Sequence, residues 1–188
     1  MLKHIEEFKK HIAIAGLRTP KIEDVDEFLE TLHKAKLPHS EIQFFDASLV
    51  ATWEHLYFAA LNALTAFKTK ANISKSLAME TMLYASAQHQ ISRATQIIGI
   101  KPSVKTMAVL IIGESAEAVK SVLETVLEHA GAQADDDVLR LSEDKMEIIR
   151  KAFGITELEL ATIRRGRCLE KALTDLVIER TALLATQS

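Results

Sequence analysis

Between Asn72 and Ile100 the chain gathers Asn72, Ser74, Glu80, Tyr84, Gln88, His89, Gln90 and Arg93 into a stretch that otherwise reads as two tightly joined helices. All eight can hydrogen-bond, and no nucleophile among them stands beside a base. The chemistry open to such a set is recognition, a docking face rather than a reaction centre. Glu80 lies in a largely apolar helix, and a carboxylate entering a core must find a charged or hydrogen-bonding partner or shift its pKa strongly. A tie to the following helix, to Gln90 or Arg93, is the expected solution.

Other chemistries lack their residues. The passage LIIGESAEA begins like a phosphate cradle, but it has neither the second glycine and Lys-Ser/Thr of a nucleotide loop nor the three glycines of a dinucleotide fingerprint. The seven histidines, at 4, 11, 33, 39, 55, 89 and 129, include no two at helical ligand spacing, and Cys168 is the single cysteine. No metal, cofactor or catalytic residue is therefore assigned. Asp135 to Asp137 lack the alternation and distal Glu of a calcium loop and read as a solvated acidic turn. Cys168 reads as a bystander thiol, and His55, one turn after Ala51, as a packing histidine.

At 188 residues the chain has the size of one domain, able to bury about 70% of its unfolded surface without disulfides or metals. One free thiol suits a reducing compartment, the N-terminus lacks the apolar run of a signal peptide, and no segment approaches a membrane span. A cytoplasmic protein is expected. The net charge of −3 argues against a dedicated polyanion binder but hides a partition. Residues 49–105 hold six basic and two acidic side chains, against seven and nine before them and ten and fifteen after. If the protein touches a phosphate backbone, the contact is expected through this central third, where Lys and Arg gain affinity by counterion release; the competing reading is a solvated basic face.

The elements that must position these groups follow from periodicity. His11 to Leu17 alternates as a strand, a helix runs from Ile22 to Lys36 with Pro20 at or before its first turn, and Leu37-Pro38 stops it. Ile42 to Ala47 is a second strand, and Leu49 to Lys68 a long core helix whose Ala59, Ala63 and Ala66 allow close packing. Helices over Ser74 to Gln88 and Gln90 to Ile98 form the pair, with Gly99 accepting a left-handed cap. Thr106 to Ile112 is an apolar strand leading into a helix that Gly131 ends. Val138 to Leu141 is a fourth strand candidate, Ser142 caps a helix ended by Gly154, Thr156 and Glu159 have capping-box spacing, and a final helix carries Leu169 to Leu184. The fold class is α+β, a helix-rich single domain with a small three- to four-stranded sheet and no linker or repeat.

Several segments, in this order, carry a resemblance: FFDASLVATWEHL (44–56), AALNALTAF (59–67), NIS-KSL with Glu80 (72–80), LYAS (83–86), Gln90-Ile91 with Ala94, Gly99-Ile100, AVLIIG (108–113), FGIT-ELEL (153–160) and VIERTALL (177–184). Together they span most of the chain and resemble the PRPK-binding protein family, the small kinase-associated subunits of the KEOPS/EKC complex, in an archaeal-type form.

The resemblance implies a non-catalytic subunit that binds an atypical kinase-ATPase, and other KEOPS subunits through it, in an assembly that makes threonylcarbamoyladenosine on tRNA. It further implies that the subunit holds the tRNA 3′ CCA end. On that reading Tyr84, Ile91, Ala94 and Ile98 form the kinase-docking set. Lys68, Lys70, Asn72, Ser74, Lys75, His89 and Arg93 form the tRNA set, as cations and hydrogen-bonding groups suited to a single-stranded end. The chain carries His89 where the family often has a basic residue before Gln-Ile. Two other readings compete: a stand-alone RNA-binding module, with Arg164, Arg165 and Arg167 as an extra phosphate contact, and a small cytosolic enzyme.

Overall fold

The structure is a computed structural model that describes residues 1–35, 39–102, 104–164, 166 and 168–186. The expected stop at Leu37-Pro38 and two of the clustered arginines, Arg165 and Arg167, lie outside the described residues. The chain divides into two compact units, Met1–Ala47 with Ile100–Val138, and Ser48–Gly99 with Leu139–Ser188. Neither is one continuous stretch of sequence, which is why no linker marks a boundary.

The first unit is built on its most apolar segment. β4 (Thr106–Gly113) is buried at every position after Thr106, and it pairs antiparallel with β2 (Lys10–Arg18) from His11↔Gly113 to Arg18↔Thr106. On its other side lies β3 (Ser40–Asp46), also antiparallel. The outer edge of β2 pairs with β1 (Leu2–Ile5) and, further along, with the two-residue β5 (Gln133–Ala134). Ala13, Ala15, Leu17, Phe44, Met107, Val109 and Ile111 pack on one face with Phe28 and Leu32 of α1 (Val25–Lys34) and Val119, Val122 and Val126 of α5 (Ala116–Ala130). Ile12, Ile14, Phe45 and Leu110 are also fully buried.

The class is α+β, as expected, and the sheet has five strands in the order β1-β2-β4-β3 with β5 beside β2. The LKHI sequence of β1 hid the added edge strand, because an edge strand tolerates charge and needs little apolar alternation. Val138 to Leu141 is not a strand: a 3-10 turn spans Asp136–Leu139. Asp136 Oδ1 accepts the Gly16 N–H at 3.0 Å and Asp135 Oδ1 accepts the Asp137 N–H at 3.0 Å, so the chain bends there instead of extending. The acidic turn is thus tied to β2, and Asp135 also pairs with Arg18. Gly16 permits the approach, since a Cβ there would lie 2.4 Å from the Asp135 carbonyl oxygen.

The second unit is helical: α2 (Trp53–Thr69), α3 (Leu77–Ser86), α4 (Ile91–Ile98), α6 (Glu143–Ala152), α7 (Glu157–Ile163) and α8 (Leu169–Leu183). The alanines Ala59, Ala60 and Ala63 of α2 are fully buried, as a thin face for helix packing requires. Ala51, Ile149, Phe153, Ile155, Leu160, Leu173 and Leu176 form a second apolar cluster. The capping box forms, with the Thr156 hydroxyl accepting the Glu159 N–H and Glu159 accepting the Thr156 N–H. That bond to Thr156, followed by the Arg180 guanidinium, pulls the Glu159 carboxyl down to about 2.

Helix starts fall later than periodicity suggested, because caps decide them. Asp24 captures the N–H groups of Asp26 and Glu27 at 2.8 and 3.0 Å, so α1 begins at Val25 rather than Ile22. Ala47–Leu49 is a 3-10 turn and α2 begins at Trp53. Gly99 is not left-handed; its φ is −68° and ψ 154°. Its role is close approach, since a Cβ there would stand 2.5 Å from the Thr95 carbonyl oxygen.

Candidate functional site

Every residue of the kinase-docking and tRNA sets falls in the second unit, on the path from the end of α2 through α3 to α4. Helix α2 closes at Lys70, which takes a left-handed conformation (φ 59°, ψ 28°) while its N–H returns to the Ala66 and Phe67 carbonyls. Residues 71–76 then form a loop with its own hydrogen bonds. Asn72 Nδ2 donates to the Ser74 carbonyl at 2.9 Å, the Ser76 N–H donates to Ser74 Oγ at 3.2 Å, and Ser76 Oγ caps α3 by accepting the Met79 N–H at 3.3 Å.

Glu80 is the hub of this loop. Its side chain is wholly buried, and the carboxylate accepts the Ile73 N–H at 3.0 and 3.2 Å and the Ser74 N–H at 2.6 Å. Two consecutive backbone donors thus meet an acceptor-only group, a charge-assisted arrangement that satisfies both sides. The expected tie forward to Gln90 or Arg93 is corrected: Glu80 reaches backward. Helical Cα–Cβ bonds tilt toward the N-terminus, so a first-turn glutamate points into the preceding loop. Tyr84, one turn on, has its hydroxyl pKa raised by burial and then by the Glu80 charge.

The loop and the α3–α4 joint turn several groups to solvent. Lys68, Lys70, Lys75, His89, Gln90 and Arg93 are exposed and Asn72 is half-buried. Lys70, Lys75 and Arg93 form no ion pair among the described residues. The segment's two acids are both engaged: Glu80 is internal, and Glu54 accepts from Thr52 Oγ1 at 2.8 Å. Ser74 departs from its expected role, being buried with its oxygen already accepting from Ser76. Ile73 was missed by the sequence reading, yet 48% of its surface is exposed in the middle of the loop. An apolar residue between Asn72 and Ser74 was the available signal.

The apolar docking set divides. Tyr84, Ala94 and Ile98 are buried in the chain's own core, and only Ile91 is exposed, at 45%. The same three-to-four spacing serves a core face and an interface face, so periodicity does not separate them. His55 packs as expected: it is fully buried, Nδ1 accepts the Ala51 N–H at 3.2 Å, Nε2 donates to the Ala85 carbonyl at 2.8 Å, and the ring meets Phe153 edge-on. Burial lowers its pKa to about 4, with a further lowering from Lys145 and an opposing effect of the Ala85 bond. Among the described residues no three His, Cys, Asp or Glu side chains converge as metal ligands, and no helix is long and apolar enough to cross a membrane.

The sequence profile of the family described as "Kinase binding protein CGI-121" matches residues 21–185. The chain belongs to the CGI-121 family. The motif order in the sequence pointed to this family, that of the KEOPS small subunits. A curated relative, "Regulatory protein Cgi121" of Methanocaldococcus jannaschii, is 37% identical over 115 residues, which are 61% of this chain and 71% of that protein. The family match reaches into both compact units, so in this CGI-121 chain the loop, the α3–α4 joint and strands β3 and β4 lie inside the matched region, and β1 and β2 lie before it.

Proposed function

We propose that this chain is a non-catalytic, cytoplasmic subunit that binds an atypical kinase-ATPase of the PRPK type. Through that kinase it joins a KEOPS-like assembly making threonylcarbamoyladenosine on tRNA, and it holds the tRNA 3′ CCA end. The kinase part is supported by membership of a family described by kinase binding. The observation that carries the tRNA part is the surface around residues 68–75. There exposed Lys68, Lys70 and Lys75 flank in sequence a loop with a half-buried Asn72 and an exposed Ile73, while the one nearby carboxylate in sequence, Glu80, is withdrawn to the interior. Cations beside an apolar and amide-bearing loop suit a single-stranded nucleic-acid end better than they suit a duplex, which asks for a longer basic stripe. His89 and Arg93, exposed at the α3–α4 joint and on α4, are further candidate contacts.

For the kinase, the exposed Ile91 is the docking residue left from the expected set, on the outward side of α4 with Ser92 and Arg93. Two measurements test the reading. The purified chain captures a PRPK-like kinase in pull-down, and absence of binding to any such kinase refutes that part. Charge reversal at Lys68, Lys70 and Lys75 weakens tRNA binding, as does removing CCA from the tRNA bound by the unmodified protein; unchanged affinity in both refutes the other part.

A further inference from the structure

Two histidines with no ligand spacing along the chain are set side by side by the sheet of the first unit. His4 of β1 stands directly opposite His11 of β2, and their rings stack with centroids 4.5 Å apart and planes 26° from parallel. The neighbouring rungs fix the kind of pair. The Met1 ammonium donates to the Ile14 carbonyl at 2.8 Å and the Met1 carbonyl accepts the Ile14 N–H at 2.9 Å. Hydrogen-bonded and non-hydrogen-bonded pairs alternate along an antiparallel ladder, so His4 and His11, three rungs on, form a non-hydrogen-bonded pair, where side chains lie closest.

His11 Nδ1 is buried and has no hydrogen-bond partner among the described residues. The row it belongs to gives the reason. Beyond His11 the row continues to Gly113 and then to Ser40. The glycine brings no side chain to His11, and a Cβ there would stand 2.7 Å from Val119 Cγ2 and 2.9 Å from Ser40 Oγ. Lys10, the neighbour of His11 in sequence, projects from the opposite face and pairs with Glu114 at 3.5 Å. His4 is exposed, so the pair opens to solvent on the β1 side.

We propose that His4 and His11 form a binding site for a divalent late transition-metal ion of the Zn2+ class, which clips the edge strand β1 to β2. A neutral imidazole always presents one nitrogen lone pair, and imidazole suits Zn2+, Ni2+ and Cu2+, whereas Mg2+ and Ca2+ ask for oxygen ligands that this pair lacks. Two nitrogens on one tetrahedral ion lie roughly 3.4 Å apart, given a Zn–N bond of about 2.0 Å. Rings stacked at 4.5 Å reach that separation by turning about their own side-chain bonds while the strands stay in place. The chain supplies two ligands, and water completes the shell. An ion that binds only the paired strands stabilises their pairing by mass action.

The test is calorimetric titration of the metal-free full chain with ZnCl2, repeated with MgCl2 and CaCl2. Zn2+ binds at one ion per chain, and the other two salts give no binding. His4→Ala and His11→Ala each weaken Zn2+ binding by roughly a hundredfold, at least the loss that removal of an outer-shell partner causes. His33→Ala, at an exposed position on α1, leaves it unchanged. Zn2+ also raises the melting temperature and slows amide exchange at Lys3 in β1, in wild type and His33→Ala but not in His4→Ala. If His11→Ala does not fold, His4→Ala carries the test, because an exposed edge-strand position tolerates alanine.

Absence of Zn2+ binding by the wild-type chain at millimolar metal overturns the inference. Equal affinity in wild type and His4→Ala overturns it too, since the ion then sits on other histidines. Binding of Mg2+ with comparable affinity overturns the assigned metal class. Loss of binding in His4→Ala with Lys3 exchange in wild type indifferent to Zn2+ overturns the clip.

Discussion

His55 sits in the core of the helical unit with both ring nitrogens bonded, and burial holds its pKa at about 4 against 6.5 for a free side chain. The unfolded chain therefore takes up a proton near pH 6.5, whereas the folded chain does so only near pH 4. Stability from this residue is complete above pH 6.5, declines as pH falls, and has gone once pH passes about 4. The move from 6.5 to about 4 corresponds to about 3 kcal/mol across that window, with a maximal slope of about 1.4 kcal/mol per pH unit. Urea unfolding followed by far-UV circular dichroism at half-unit steps from pH 7.5 to 4, in wild type and His55→Gln, isolates the effect. The variant is less stable at pH 7, because the Ala51 N–H loses its acceptor, and its stability falls less steeply toward acid. Parallel profiles for the two proteins refute the reasoning, since they would place the decline in other titrating groups.

Three further outcomes are expected. Lys70→Ala with Lys75→Ala reduces the slope of log Kd against log salt for tRNA by about 2, one per phosphate contact, measured by anisotropy across a salt series. Ile91→Asp weakens kinase capture by about 2 kcal/mol, roughly thirtyfold, with the melting temperature unchanged, whereas Ile98→Asp at a fully buried position abolishes folding. Gly99→Ala destabilises by about 1 to 3 kcal/mol in chemical denaturation, because its methyl group meets the Thr95 carbonyl oxygen in an extended conformation that would otherwise accept alanine.

Legibility varied with how local the deciding physics was. Ser142, the Thr156 and Glu159 pair and Gly131 acted where they were expected, because caps involve residues three or four apart in sequence. The ends of α2 and α3 gave no such signal: Lys70 and Ala87 hold left-handed conformations that glycine or asparagine usually marks. The expected α3 start at Ser74 falls two residues early, since Ser74 and Ser76 can both cap in sequence and only the Glu80 bonds decide between them. At the site, cationic exposure was legible from the charge partition. The burial of Ser74, Tyr84, Ala94 and Ile98 and the exposure of Ile73 were not, because side-chain type does not say which side of a helix or loop meets the rest of the chain.

By itself the sequence determined that this is a helix-rich α+β protein of the CGI-121 family with a small sheet, a basic central third and no motif that joins a nucleophile to a base, forms a cofactor loop or has ligand spacing. Those properties reside in periodicity, composition and motif order, which are all carried by near neighbours in the chain. The tertiary structure alone decided that Glu80 turns back to Ile73 and Ser74, that five strands assemble from distant segments, and that Ile91 is outside while Ile98 is inside. Each of these depends on which groups lose contact with water when the chain closes, and a carboxylate deprived of water takes the nearest backbone donors that geometry offers.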